Sequence, residues 1–121
     1  MKLSTPYIRI VYENLHSTVF VPLKINLPCE WLIHFKITND QLCYGWTNPE
    51  GSMDEGWQEY VIEISKAKNT TYKDLVETLL HEMCHIALCE KGVKDWDCHG
   101  PNTKFDALKN KVEAFTGLTI S

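Results

Sequence analysis

Two histidines four residues apart, with a glutamate directly after the first, stand at His81-Glu82-Met83-Cys84-His85. On a helix, residues at that spacing lie on one face, one turn above the other. Two imidazoles so placed can both reach one Zn²⁺ at about 2.0–2.1 Å. Glu82 then projects about 100° around the helix from His81, as 3.6 residues per turn require. From there it can contact a metal-activated water without being a ligand. This is the division of labour of an H-E-x-x-H metalloprotease, and the chemistry it implies is metal-assisted hydrolysis of a peptide bond. The metal would polarise the scissile carbonyl and lower the pKa of water toward 7. Glu82 would take the water proton and pass it to the leaving amine.

A catalytic zinc needs a third protein ligand and an open fourth position. The other histidines are His16, His34 and His99. His99 is the best candidate on reach. A helix continuing past His85 covers about 9 Å at 1.5 Å per residue, and an extended segment from Gly92 to His99 spans roughly 25 Å. The chain can therefore double back, and Gly100-Pro101 marks a turn after it. Cys98 stays open as an alternative ligand. Cys84, one residue before His85, faces elsewhere and reads as core. His16 and His34 read as ordinary packing or surface residues. An oxyanion donor is also expected; Tyr44 and Tyr60 are candidates between which the sequence does not choose.

The elements that must position these groups can be sketched. Thr71, with Asp74 three residues later, resembles a capping box, and Gly92 is a natural stop. About twenty residues of helix, roughly 30 Å, lie between them. Leu75, Val76, Leu79, Leu80, Met83, Ile86 and Ala87 form a broad apolar surface on it. Asp74, Thr78, His81 and His85 form a separate polar stripe, which is costly to bury unless something such as a metal satisfies it. Upstream, Tyr7, Ile10, Val11 and Leu15 predict a helix over about Thr5 to Val19. Trp31 to Ile37 and Leu42 to Thr47 read as strands, and Trp57 to Ser65 alternates as a half-exposed third strand. Asn48 to Gly56 reads as an acidic, exposed loop. A last helix starts at Asn102 or Thr103 and ends at Gly117. Three strands framed by helices predict an α+β domain.

The bulk composition agrees. The chain has 121 residues, 44% apolar and 23% charged, which suits one folded domain spanning residues 1–121 rather than a disordered chain. Its formal net charge of -4 lowers the odds of a dedicated nucleic-acid binder, without removing a local basic patch. Lys91, Lys94, Lys104, Lys109 and Lys111 could form such a patch, but a solvated helix face is the favoured reading. Five cysteines, with no C-x-x-C, argue against a disulfide framework or a four-cysteine zinc ribbon. Most are expected to be small buried residues in a reducing compartment. No signal peptide or membrane-length apolar run is evident, so a soluble, intracellular chain (cytoplasmic, or associated with nucleoid or nucleus) with no membrane partner is expected, and it is read as a monomer.

Several of these pieces together resemble the SprT-like (Spartan-type) zinc metallopeptidase family. Leu42-Cys43-Tyr44-Gly45-Trp46 is similar to its short glycine-containing strand, and Ile62-Glu63-Ile64-Ser65 to its I-x-I-S/N strand end. Asp74 to His85, DLVETLLHEMCH, is very close to its active-site helix. His99-Gly100 with Phe105 resembles its H-G-x-x-F signature, here with a wider gap. The resemblance spans residues 42 to 105. It implies a zincin-like fold: a small three-stranded sheet with an N-terminal helix, a long active-site helix and a C-terminal helix. It also implies His99 as third zinc ligand, and the strand near Trp57 to Ser65 as the edge on which substrate main chain pairs. Members often carry a cysteine-rich zinc ribbon, which is not expected here. Spartan-type action on DNA–protein crosslinks depends on DNA-binding elements, and none is evident.

The reading is therefore a zinc-dependent endopeptidase with a protein or peptide substrate. DNA-associated or crosslinked proteins are the class that the resemblance implies, with nucleic acid as a further partner. Two rivals are a catalytically inactive zincin-fold binding module with a structural zinc site, and a nucleic-acid adaptor. The intact Glu82 argues against the first, since a purely structural site does not require it.

Overall fold

Helix α1 (Thr5–Leu15) begins where Ser4 accepts a 3.2 Å hydrogen bond from the Tyr7 amide, with Pro6 in its first turn. It buries Ile8, Val11, Tyr12 and Leu15. That stripe is rotated from the expected one: Ile10 is 65% exposed, and Ile8 and Tyr12 take the inward positions. The helical run continues to Phe20, but as a π-turn over His16–Phe20. Ser17 and Thr18 hydroxyls both donate to the Asn14 carbonyl, which competes with the regular ladder. The computed structural model describes residues 2–50, 58–93 and 103–120.

Strands β1 (Ile33–Thr38), β2 (Gly45–Glu50) and β3 (Glu59–Ser65) form one mixed sheet in the order β1-β3-β2. β3 runs parallel to β1, pairing Ile33 with Tyr60 and Thr38 with Ser65. It runs antiparallel to β2, pairing Gly45 with Ile64 and Glu50 with Glu59. Two expectations change here. β3 is the central strand, with Tyr60, Ile62, Glu63, Ile64 and Ser65 buried, so it is neither half-exposed nor the edge of the sheet. The edges are β1 and β2. β2 also starts three residues later than expected and takes in Asn48 to Glu50, which the sequence had suggested as loop.

The shift of β2 has a local cause. The Asp40 carboxylate accepts hydrogen bonds from the Leu42 and Cys43 amides, at 2.7 and 2.8 Å, and holds both residues in an Asx-type turn outside the sheet. Pairing begins at Gly45, where a Cβ would stand 2.6 Å from the Glu63 carbonyl oxygen and 3.0 Å from the Thr78 methyl. Only glycine lets β2 lie so close to β3 and to the helix behind it. Pro49, which lacks an amide donor, is tolerated because β2 is an edge.

Helix α2 (Tyr72–Glu90) opens with the expected capping box: Thr71 Oγ1 accepts from the Asp74 amide at 3.1 Å, and Asp74 Oδ2 accepts from the Thr71 amide at 3.2 Å. It ends at Lys91 and Gly92, the latter at φ 84°. Helix α3 (Lys104–Thr116) is capped by Thr103 and closed by Gly117 at φ 74°. The apolar surface of α2 joins α1, β3, Phe105 and Val112 in one core. The fold is thus α+β, with a small three-stranded mixed sheet and three α-helices among the described residues.

The cysteines depart from expectation. Of the four described, Cys84 is buried and Cys89 half-buried, whereas Cys29 and Cys43 are exposed. Among the described residues no helix is long and apolar enough to cross a membrane.

Candidate metal centre

His81 and His85 lie one turn apart on α2, and their Nε2 atoms approach to 3.2 Å. Two nitrogens bound to one tetrahedral zinc at about 2.0–2.1 Å would stand about 3.3 Å apart. The two nitrogens, within hydrogen-bond distance of each other, stand at the spacing that a shared zinc would require, and their donor chemistry fits zinc. Both rings pack against Phe105 of α3. Its ring stacks on His85 at 4.4 Å between centroids and tilts against His81 at 4.9 Å. Phe105 is 2% exposed, so the first turn of α3 fixes the histidine rings through close packing.

Glu82 is also buried, at 4% exposure. Its Oε2 stands 3.7 Å from His81 Nε2, and its Oε1 accepts a 3.0 Å hydrogen bond from the Thr47 hydroxyl of β2. Burial pushes the carboxyl up to about 7, and the Thr47 bond opposes that rise. Thr47 was not singled out from the sequence, where it is one β-branched residue in a strand. Its role depends on β2 lying against α2.

A second connection, through Asn69, ties α2 to the chain before β2. Asn69 is 1% exposed. Its amide donates to the Tyr44 carbonyl at 2.8 Å and the Ser65 carbonyl at 2.7 Å, while its oxygen accepts from Thr78 at 2.7 Å. The Ser65 amide also donates to Tyr44, and its hydroxyl to the Asp40 carbonyl. The segment Asp40–Tyr44 is thereby locked to the helix that carries His81 and Glu82. A recess of about 210 Å³ lies between them, lined by Leu42, Cys43, Tyr44, Gly45, Thr78, His81 and Glu82.

The two tyrosines considered as oxyanion donors separate. Tyr60 is fully buried and its hydroxyl donates to Glu90 at 2.7 Å, which commits it to the core. Tyr44 borders the recess, its ring capped by Lys68 Nζ at 4.9 Å. His34 pairs with Glu59 at 2.9 Å on the exposed face of the sheet. His99 and Cys98, the two candidates for a third ligand, lie outside the described residues, as do Trp57 and the loop from Gly51 to Gly56. Among the described residues no group of three His, Cys, Asp or Glu side chains forms a complete metal cage.

The chain's similarity to known proteins agrees with this geometry. The SprT-like family model matches residues 24–121. The chain belongs to the SprT-like family. Metallopeptidase-like function goes with that family, and in this SprT-like chain the match covers all three strands, the histidine-bearing helix and α3. The lysines noted in the sequence are placed only in part. Lys91, Lys104 and Lys111 border a groove of about 420 Å³ with Leu88 and Leu108, whereas Lys109 pairs with Asp106 and Glu113, and Lys94 lies outside the described residues.

Proposed function

We propose that this SprT-like chain is a zinc-dependent endopeptidase in which His81, His85 and His99 hold the metal and Glu82 is the general base. The observation that carries the reading is the convergence of His81 and His85 Nε2 at 3.2 Å, with the buried Glu82 carboxylate 3.7 Å away and anchored from β2. A zinc ion bound there supplies Lewis acidity for the scissile carbonyl and acidifies water. Glu82 accepts a proton from the attacking water on its carboxylate and returns it to the amine as the C–N bond breaks. The Thr47 hydroxyl keeps one carboxylate oxygen fixed, so the other is held on the His81 side without rotamer search.

The sheet order supports a definite substrate path. β2 is the edge strand that carries Thr47, and an extended peptide adding to it would run past His81 and Glu82. The substrate is accordingly an extended segment of a protein or peptide chain.

The test is proteolysis of an unfolded protein by the wild type and by Glu82→Gln, with zinc content measured on both and on His99→Ala. Loss of cleavage with zinc retained is expected for Glu82→Gln, and loss of zinc affinity for His99→Ala. Undiminished proteolysis by Glu82→Gln would remove Glu82 from the mechanism, and full zinc retention by His99→Ala would send the search for the third ligand to Cys98 or elsewhere.

A further inference from the structure

The recess beside His81 and Glu82 has features that the hydrolytic chemistry does not require. Its outer wall is Leu42, 88% exposed, and Tyr44, 46% exposed. Both are large apolar side chains presented to solvent directly beside the candidate catalytic carboxylate. The turn that holds them is not loose. Asp40 fixes the Leu42 and Cys43 amides, Asn69 and Ser65 fix the Tyr44 carbonyl, and Asn69 is bonded in turn to Thr78 of α2. Buried, fully bonded polar groups of this kind rigidify what they connect. The distance from the apolar wall to the candidate catalytic carboxylate is therefore set by the fold.

The size of the recess narrows its occupant. At about 210 Å³ it is smaller than the roughly 300–1,000 Å³ of a site for a whole small molecule. It suits one side chain of a longer ligand whose main chain lies elsewhere. Some of the polar atoms around it are already engaged, since the Thr78 hydroxyl bonds to Asn69 and Glu82 Oε1 to Thr47, while Glu82 Oε2 and His81 Nε2 belong to the hydrolytic chemistry. Apolar surface remains at Leu42 and Tyr44.

We propose that this recess is a specificity subsite that takes an aliphatic side chain of the substrate next to the bond being cleaved, with Leu42 and Tyr44 as the residues that select it. The inference rests on the peptide-hydrolysing reading above for the word substrate, but the recess itself can be probed without turnover. Leu42 is the specificity-determining residue most open to test, because its exposure makes replacement harmless to folding.

The experiment uses the full chain carrying Glu82→Gln and a set of blocked peptides identical except for one residue, which is Leu, Gly, Lys or Asp. Affinities are measured by fluorescence anisotropy, and cleavage positions of the same peptides in wild-type protein are mapped by mass spectrometry. The Leu peptide is expected to bind about tenfold or more tighter than the Gly peptide, the range that an apolar pocket achieves. Leu42→Met should keep that preference. Leu42→Asp should abolish it and favour the Lys peptide. Equal binding of all four peptides, no binding of any, or a preference that Leu42→Asp leaves unchanged overturns the proposal. Selective binding that tracks Leu42, with no cleavage by wild-type protein, upholds the subsite and sinks the hydrolytic reading instead.

Discussion

Thr47 on β2 and Glu82 on α2 are joined by a 3.0 Å hydrogen bond across the interface between sheet and helix. It is the direct side-chain link between the edge strand and the candidate general base. Replacing Thr47 by Val keeps the shape and removes the donor. A buried carboxylate oxygen left without that partner should cost about 1–3 kcal/mol, read as a lower midpoint in chemical denaturation. Activity should fall about tenfold or more through kcat, with KM little changed, and Thr47→Ser should restore most of both. An unchanged midpoint and kcat in Thr47→Val would show that the bond positions nothing.

Phe105 supports both histidine rings from α3. Phe105→Ala should destabilise the chain by about 3–5 kcal/mol, the cost of emptying a buried aromatic site. Phe105→Leu should cost less in stability yet still lower zinc affinity, since the flat face against His85 is lost. Competition with a chelator measures the second effect separately. Zinc affinity equal to wild type in Phe105→Leu would reduce Phe105 to a core residue.

The capping box of α2 carries a pH dependence. Hydrogen bonds from Thr71, opposed by slight burial, hold the Asp74 carboxyl below the usual carboxylate range. A depressed pKa stabilises the folded chain above the unfolded value of about 3.9, and that stabilisation is lost as pH falls through the lower folded value. Thr71→Ala should cost about 1 kcal/mol at neutral pH. Asp74→Asn should flatten the loss of stability at and below about pH 4. Thermal melts across that range check both.

Cysteine reactivity should follow exposure. Cys29 and Cys43 are exposed and should be alkylated by iodoacetamide in the folded chain. Cys84 should resist until unfolding, because burial first, then the nearby Glu82 and Glu113, push its thiol up to about 12. Peptide mapping by mass spectrometry reads the outcome, and fast labelling of Cys84 in native protein would contradict the packing around it.

Much of the long helix could be read in the sequence because its determinants are local. Thr71 and Asp74 are three apart, the histidines four apart, and Gly92 and Gly117 sit where a left-handed residue ends a helix. The sheet was less legible. The alternation in Trp57 to Ser65 suggested a half-exposed strand, but β3 is flanked on both sides, and nothing local encodes which strand is central. For α1, Tyr7 and Ile10 matched a helical stripe as well as Ile8 and Tyr12 do; packing into the shared core, where Tyr12 meets Phe35 edge-on at 5.4 Å, decides between them. Thr47 and Asn69 were invisible for a related reason: each is a common polar residue whose partners lie 35 and up to 25 residues away in the chain. His99 was reached by chain length and resemblance alone.

Pro49 carries a consequence for how the molecule coexists with its neighbours. An edge strand is a template on which any extended chain can polymerise. With an imide at position 49, the row of amides along β2 is interrupted after Asn48, four residues from its start. A visiting strand therefore finds the docking rail broken at Pro49. Transient engagement of one segment is allowed, while sheet-by-sheet stacking into fibres is discouraged. The same edge that admits a chain limits how much of that chain can adhere.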